Sequence, residues 1–441
     1  MIVKHIFSQN QHYWQAGAAS VNQPDTQQQV LEAAGRPIQG FGVSFSELSY
    51  EALDKAQPRQ AEALMADLFS PDACGFTIGR IPIGASDFAL GWYSCDETED
   101  DWALEHFSIK RDEERLIPLI RRAQQHCPDM VFFASPWSPP TWMKTRKVYN
   151  YGRLRQEPKV QKTYADYLVR FIREYRRQGI PITMLHIQNE PSADQKFPSC
   201  LWSGAAMRDF IRDYAGPALE KSGENARLWL GTINNPYSDY RGATPFEFFY
   251  DQFTHTVLAD AQARKYIAGI GVQWGGKHQL DQIQASYPEI RMMQTESECG
   301  DGTNCWEQVE YLFHTMWHYF RHGIESYIYW NLALEQGAES TWGWRQNSLV
   351  SVDPGTGEVT RNPEFYLMKH FSHFVKPGAR LCATAGHFAA NTLVFANPDG
   401  SYAAVLLNGL DESRTIRLSL PQGSADVTVL PHALHSVLIT P

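Results

Sequence analysis

The sequence lacks the features that would place it in several protein classes. Its seven cysteines are scattered and form no Cys-x-x-Cys pair, which indicates free thiols in a reducing compartment. No apolar run reaches the ~18 residues that a transmembrane helix needs. The first residues contain neither an apolar signal segment nor a small-residue cleavage site, so we expect a cytoplasmic protein. A signal peptide removed earlier would leave the same sequence, and a secreted or periplasmic location is therefore the alternative.

Acidic residues outnumber basic residues, 49 to 39. The net charge is −10 and the isoelectric point is near 5.8, which argues against a nucleic-acid or anionic-membrane partner. No pair of histidines stands at ligand spacing near a predicted strand end, so we expect neither a metal nor another cofactor. Aromatic residues are plentiful at 13%, with 13 tryptophans. Indole rings can serve as platforms for sugar rings, and the composition favours a neutral carbohydrate substrate.

Eight short apolar segments alternate with amphipathic helical stretches. Each segment is rich in Ile, Val, Phe, Tyr or Met, as is typical of a strand whose outer face is covered by helices. The predicted strands are residues 37–47, 76–84, 130–138, 182–191, 226–235, 267–275, 291–299 and 323–332. This alternation predicts an α/β fold, the (β/α)8 TIM barrel, with its active site at the carboxyl ends of the strands.

The two ends of the chain have a different pattern. Residues 392–396, 402–408, 415–420 and 427–430 alternate or cluster apolar side chains, and turn signals separate some of them. We therefore expect a β-sandwich side domain at residues 376–441 and the barrel at residues 36–375. Residues 1–35, with apolar runs at 3–7 and 16–21, are expected to contribute strands to the side domain.

Two glutamates lie near the ends of predicted strands. Glu190 ends the fourth strand and Glu296 lies in the seventh. A charge at the tip of a buried strand is unfavourable unless it is paired or used. Two such residues on one barrel indicate a pair of carboxylates that face one cleft, as glycoside hydrolysis requires. Glu298 is the alternative to Glu296, because it would project to the same side of the strand.

Several motifs accompany these glutamates in a fixed order. They are Gly40-Phe-Gly42, Arg80-Ile-Pro-Ile-Gly-Ala-Ser-Asp-Phe88, Ala134-Ser-Pro-Trp-Ser-Pro-Pro-Thr-Trp-Met-Lys-Thr145, Gln188-Asn-Glu-Pro191, Thr295-Glu296 and Trp330-Asn331. In these motifs the chain resembles glycoside hydrolase family 30, the family of glucosylceramidases and β-1,6-glucanases, over residues 38–375. Asn-Glu-Pro alone marks a broader clan of barrel glycosidases, whereas the long Ser-Pro-Trp string is specific.

The resemblance implies a retaining double displacement in which Glu296 is the nucleophile and Glu190 the acid/base. It also implies that Asn189 binds the sugar 2-hydroxyl. Arg80 is expected to hold a carboxylate, with direct contact to substrate as the alternative. The remaining residues implied to line the sugar subsite are Asp87, Trp137, Trp330, Trp344 and Asn347.

The chain departs from the glucosylceramidase pattern after the sixth strand. Gln273-Trp274-Gly275 stands where those enzymes carry His-Trp-Tyr. We expect Gln273 to bind substrate or to hydrogen-bond Glu296, and Gly275 to leave space where the tyrosine ring would lie. The segment 300–305 resembles bacterial members of the family instead.

The sequence leaves several functions open. The leading hypothesis is a retaining β-glycosidase that acts on a β-glucoside, either from the chain end or as a β-1,6-glucanase. A β-xylosidase or β-fucosidase is the nearest alternative, because one hydroxymethyl group changes specificity by only a few kcal/mol. An inactive carbohydrate-binding protein is a more distant one. The expected partner is a β-linked glycoside, with no nucleic acid and no membrane span, and the oligomeric state is left open.

Overall fold

The chain begins with three strands that lie outside the barrel. A computed structural model describes residues 2–18, 20, 23–236 and 246–440 of the protein. The first strands are β1 (Ile2–Gln9), β2 (His12–Ala16) and β3 (Thr26–Pro37). The apolar run at 16–21 is not a strand of its own where it is described, because β2 ends at Ala16; residues 19 and 21 lie outside the described residues.

Eight parallel strands follow and form the barrel. They are β4 (Gly40–Ser44), β5 (Ile78–Ile83), β6 (Val131–Pro136), β7 (Ile182–His186), β8 (Arg227–Ile233), β9 (Ile267–Val272), β10 (Arg291–Gln294) and β11 (Ser326–Asn331). Neighbours in the sheet are neighbours in sequence, and β11 pairs with β4. The predicted TIM barrel is confirmed. Each strand is shorter than its predicted segment, so Glu190 and Glu296 lie just beyond β7 and β10.

The barrel closes between β10 and β11, where one of the hydrogen bonds between the strands is made by the Gln294 side chain. The Glu325 N–H donates to the Met292 carbonyl at 2.8 Å, and the Ile328 N–H donates to the Gln294 side-chain oxygen at 2.6 Å. Every buried backbone donor needs an acceptor. The Gln294 amide supplies one where the two strands diverge.

Helices cover the outside of the barrel. Their bounds are α1 (Glu47–Lys55), α2 (Pro58–Phe69), α3 (Lys110–Glu114), α4 (Leu116–His126), α5 (Pro158–Arg177), α6 (Gly204–Phe210), α7 (Gly216–Ser222), α8 (Thr256–Leu258), α9 (Ala261–Arg264), α10 (Leu280–Ser286) and α11 (Trp306–Arg321). In α5 an apolar stripe at three- and four-residue spacing is buried, including Tyr164, Leu168 and Phe171. The described residues contain no helix long and apolar enough to cross a membrane. All seven cysteines are free, as expected.

A small sheet and a helix connect the barrel to the side domain. The sheet consists of β12 (Ala333–Glu335), β13 (Val350–Val352) and β14 (Val359–Arg361), and α12 (Pro363–Ser372) follows it. The side-domain strands are β15 (Arg380–Ala385), β16 (Thr392–Ala396), β17 (Tyr402–Asn408), β18 (Arg414–Leu420), β19 (Gly423–Val429) and β20 (Ala433–Ile439). They share one sheet with β1–β3, in the order β19-β18-β3-β15-β16-β17-β20-β1-β2.

The alternating pattern of the side-domain strands buries both faces. On β16, Val394 faces the core of the side domain, whereas Phe395 packs edge-on against Phe320 of α11 at 5.4 Å between ring centroids. On β17, Leu406 faces the core of the side domain, whereas Val405 belongs to the core that the sheet shares with the barrel. Because strand side chains alternate in direction, one sheet can complete its own core and pack against the barrel at once.

Candidate active site

Glu190 lies in a tight turn after β7. The backbone before it is fixed by two neighbouring strands, because the Asn189 N–H donates to the Pro136 carbonyl at 2.8 Å and the Gln188 N–H to the Gly231 carbonyl at 3.1 Å. Glu190 itself has a φ of 48°, a left-handed conformation that a glutamate rarely adopts. Strained backbone of this kind concentrates at functional sites. Here it directs the carboxylate into the barrel mouth.

Glu296 lies two residues beyond β10, and both flanking residues are anchored. The Thr295 N–H donates to the Val272 carbonyl at 3.0 Å, and the Ser297 hydroxyl accepts from the Trp330 N–H at 3.1 Å. Glu298 points elsewhere: its carboxylate pairs with the Lys277 ammonium and accepts from the Tyr311 hydroxyl. Glu296 is therefore the carboxylate of this segment that faces the cleft.

Arg80 lies at the bottom of the site and contacts both Glu296 and Asn189. Its Nη1 lies 2.6 Å from Glu296 Oε2, and its Nη2 donates to Asn189 Oδ1 at 2.6 Å. The guanidinium is fully buried beneath the Trp137 ring, 4.6 Å from its centroid. The fork geometry of arginine suits this task, because its donors are rigidly oriented. The structure thus places Arg80 against a carboxylate and outside the lining of the cavity.

Gln273 contacts Glu190, whereas one of our expectations was a hydrogen bond to Glu296. Its amide nitrogen donates to Glu190 Oε1 and to Asn189 Oδ1, each at 3.2 Å, whereas Glu296 receives its second hydrogen bond from the Trp274 indole at 2.8 Å. The expectation about Gly275 was wrong: a Cβ there would lie 2.8 Å from the Asn234 and Pro236 carbonyl oxygens. Glycine is required at this position by close backbone packing, and it leaves no space for a ring.

The two sides of the site differ in their electrostatics. Burial, and then the neighbouring Glu296 carboxylate, raise the pKa of Glu190 to about 8. Burial and Glu296 likewise raise the pKa of Asp87 to about 7, while Arg80 and the Trp342 indole oppose the shift. Glu296 itself is held by the Arg80 guanidinium and by the Trp274 indole N–H. A carboxyl group with a raised pKa and a carboxylate paired with a buried cation therefore share one site.

The carboxyl groups open into a cavity of about 150 Å³. Of the residues singled out from the sequence, the cavity is lined by Asp87, Trp137, Asn189, Glu190, Glu296 and Trp344. Trp330 lies below it, stacked on Trp137 at 5.4 Å between ring centroids. Asn347 is fully buried behind the wall, where its oxygen accepts from the Gly302 and Asn304 N–H groups and its amide donates to Glu364.

Five further residues line the cavity that the sequence did not single out for that purpose: Gln195, Phe197, Trp274, Trp342 and Gln346. Trp342 is anchored by its neighbour Thr341, which donates twice to the Asp87 carbonyl, at 2.9 and 3.1 Å. Gln346 stands next to Asn347, the residue that the resemblance implied, and its side-chain oxygen accepts from Asn331 at 3.1 Å. The resemblance, which implied Trp344 and Asn347, was the sequence signal for this wall.

Two family models match the chain. The glycosyl hydrolase family 30 TIM-barrel domain matches residues 38–375, and the glycosyl hydrolase family 30 beta sandwich domain matches residues 390–437. The chain belongs to glycosyl hydrolase family 30. It is accordingly an O-glycosyl hydrolase whose catalytic barrel carries the site described above, and the predicted family and fold class are confirmed.

Relatives of two kinds are similar to this hydrolase. The lysosomal acid glucosylceramidase of Mus musculus is 28% identical, covering 91% of this chain and 81% of the mouse protein. The endo-1,6-beta-D-glucanase of Neurospora crassa is 22% identical, covering 86% and 78%. Among solved structures, SrfJ from Salmonella typhimurium has a TM-score of 0.88 at 26% identity over all of both chains. The endo-β1,6-glucanase BT3312 has a TM-score of 0.85 at 25% identity over 99% of each.

Proposed function

We propose that this family 30 hydrolase cleaves β-glucosidic bonds by a retaining double displacement, with Glu296 as nucleophile and Glu190 as acid/base. The observation that carries the proposal is the contrast between the two carboxyl groups in one cavity. Burial raises the pKa of Glu190 to about 8, whereas Glu296 receives hydrogen bonds from Arg80 and Trp274. A glycosidase needs one protonated and one ionised carboxyl group.

The first half of the reaction forms a bond between a Glu296 oxygen and the anomeric carbon. The bond from that carbon to the leaving-group oxygen breaks, and the Glu190 proton passes to the departing oxygen. In the second half, Glu190 takes a proton from water, whose oxygen attacks the anomeric carbon and releases Glu296. The configuration at the anomeric carbon is retained because it inverts twice.

Asn189 is proposed to bind the sugar 2-hydroxyl. Its side-chain oxygen is already occupied, since it accepts from Arg80, Gln273 and Thr232. The amide nitrogen is therefore the part that faces the cavity, and it can donate to a sugar oxygen. Asp87, which also lines the cavity, is suited to accept from sugar hydroxyls on the side of the Trp342 wall.

The two kinds of relative named above are a glucosylceramidase and endo-1,6-beta-D-glucanases, and both names contain a glucose unit, which supports glucose as the sugar. A β-xyloside or β-fucoside stays an alternative within the same mechanism. Hydrolysis of nitrophenyl β-glucoside, β-xyloside, β-fucoside and β-galactoside distinguishes these sugars. A β-1,6-glucan digest then separates action at the chain end from cleavage within a chain.

The decisive experiment compares the wild type with Glu296→Gln on the best substrate of that panel. We expect kcat to fall by roughly 10⁴-fold or more while binding is retained, because the amide cannot form the glycosyl-enzyme. Azide should not rescue this variant. Binding of a sugar with no turnover of any β-glycoside by the wild type would instead favour an inactive carbohydrate-binding protein.

A further inference from the structure

One short segment presents a neutral hydrogen-bond donor to each of the two glutamates. Gln273 and Trp274 follow β9 directly. The Gln273 amide nitrogen lies 3.2 Å from Glu190 Oε1, and the Trp274 indole nitrogen lies 2.8 Å from Glu296 Oε1. Adjacent residues thus contact opposite members of the catalytic pair.

The segment is fixed rigidly against the end of β8. The Gln273 N–H donates to the Ile233 carbonyl at 2.8 Å, and a Cβ on Gly276 would lie only 2.0 Å from that same carbonyl oxygen. Trp274 has a φ of 47°, so its backbone is held in the left-handed region. Tight backbone packing on one side and a strained turn at the indole leave these donors little freedom to move.

The orientation of the Gln273 amide follows from its other contacts. Its oxygen accepts from the Thr295 hydroxyl at 2.9 Å and faces Arg80 Nη1 at 3.5 Å. The guanidinium can only donate, so the oxygen of the amide faces it and the amide nitrogen points toward Glu190 and Asn189. Neither an amide nor an indole titrates in the range where the enzyme works. The two contacts therefore persist across that range.

We propose that Gln273 and Trp274 are positioning residues that act separately on the two glutamates. Trp274 holds the Glu296 carboxylate in position for attack, whereas Gln273 holds Glu190 and so sets the alkaline limit of catalysis. This inference rests on the proposed roles of Glu190 and Glu296.

Other ionisable groups also face the pair. Arg80 contacts Glu296 from the floor, and Asp87 and the buried Cys299 lie close enough to interact with both glutamates. Burial raises the pKa of Glu190 most, Glu296 adds to this, and the Gln273 hydrogen bond lowers it. Arg80, Asp87 and Cys299 are the same in every variant described below.

The test is the pH profile of kcat/KM, which reports the free enzyme. In Trp274→Phe we expect the alkaline limb to stay where it is in the wild type, because the hydrogen bond that is lost goes to Glu296 and not to Glu190. At the optimum, kcat/KM should fall by about ten- to a hundredfold, the range for one hydrogen bond to a charged group. In Gln273→Met, which keeps the side-chain length, we expect the alkaline limb to move to higher pH.

Trp344→Phe is the matched control. Trp344 lines the same cavity and its ring lies 5.9 Å from the Trp274 ring, but it is not the donor to Glu296. This variant should change KM and leave the alkaline limb in place. If Trp274→Phe does not fold, a benzothienyl analogue introduced at position 274 keeps the ring shape and removes only the N–H. The same fall in kcat/KM is expected there.

A wild-type kcat/KM in Trp274→Phe together with a wild-type alkaline limb in Gln273→Met would overturn the inference. So would an equal shift of the alkaline limb in Trp344→Phe, because it would indicate a general change of the cavity. Failure of the proposed function is a separate outcome: Glu296→Gln would then keep its turnover. An inactive Glu296→Gln beside a Trp274→Phe with the wild-type kcat/KM would reject the positioning role of Trp274 alone.

Discussion

At Glu190, burial and then the neighbouring Glu296 carboxylate oppose ionisation. They outweigh the Gln273 hydrogen bond and the Arg80 charge, so the pKa is raised to about 8. The group is therefore protonated below pH 8 and loses its proton above it, so activity should decline on the alkaline side.

In Glu190→Ala, substrates with poor leaving groups should react about 10²- to 10⁴-fold more slowly. Activated aryl glycosides should still form the glycosyl-enzyme, without the alkaline limb in that step, and azide should restore release. A β-glycosyl azide product, identified by NMR, verifies retention; an unchanged alkaline limb would contradict the assignment.

Glu298 provides a control two residues from the proposed nucleophile. Its carboxylate pairs with Lys277 and Tyr311 and does not line the cavity. We expect Glu298→Gln to keep kcat within a fewfold of the wild type and to lower thermal stability slightly, since a partly buried ion pair is lost. Steady-state kinetics beside Glu296→Gln decide the point. A dead Glu298→Gln with an active Glu296→Gln would exchange the two roles.

The order of the secondary-structure elements was predictable, but the ends of the strands were not. Strands buried under helices are continuously apolar, and this pattern located all eight of them. The same apolar pattern continues into the following segments, so β7 was extended to Pro191 although it ends at His186. Those segments are held by hydrogen bonds to neighbouring strands, which leave no periodicity in the sequence.

The wall of the cavity was harder to predict than its floor. Glu190 and Glu296 follow strands whose positions are fixed by the barrel. Gln346 and Asn347 instead lie in a long connection, where the direction of each side chain depends on distant contacts such as that of Asn331. The resemblance indicated the right connection, but it selected Asn347, which is buried. The residue that lines the cavity is its neighbour Gln346.

The packing of the segment after β9 yields a prediction at the scale of an element. A Cβ added to Gly276 would lie 2.0 Å from the Ile233 carbonyl oxygen. That oxygen belongs to the backbone and cannot move aside easily. We expect Gly276→Ala to displace Gln273 and Trp274 and to lower kcat by about tenfold or more, because the two glutamates that they position would be misplaced. Gly91→Ala is the control, since its Cβ would meet only the Arg111 guanidinium at 3.8 Å. Equal kcat values in the two variants, measured on folded protein, would show that the packing is not needed for catalysis.

At the scale of the whole molecule, buried histidines join the terminal strands to the barrel. The His370 ring on α12 contacts the Ser8 hydroxyl of β1 at 2.9 Å and the Ser436 hydroxyl of β20 at 2.8 Å. His435 of β20 pairs with His5 of β1 at 2.9 Å. Burial, and then the neighbouring His5, His373 and Lys369, lower the pKa of His370 to about 3. The junction is therefore built from neutral imidazoles.

These imidazoles should make the junction sensitive to acid. The unfolded chain binds a proton at His370 near pH 6.5, whereas the folded protein binds it only near pH 3. Protons therefore favour the unfolded state between these values, and the stability contributed by the neutral ring is lost progressively as the pH falls below about 6.5. For this one residue the loss between pH 7 and pH 5 is about 2 kcal/mol. Buried acids with raised pKa values, such as Asp87, act in the opposite direction, so total stability does not isolate the histidine.

A comparison of variants does isolate it. His370→Gln keeps a polar group for one of the serine hydroxyls and removes the titrating ring. We expect this variant to be less stable than the wild type at pH 7, and the difference in unfolding free energy to shrink by about 2 kcal/mol at pH 5. Urea unfolding at both pH values measures it. His12→Gln, at an exposed position on β2, should show no such change. A difference that stays constant between pH 7 and pH 5 would mean that the folded protein accepts the proton at His370, and that the junction tolerates a charged ring.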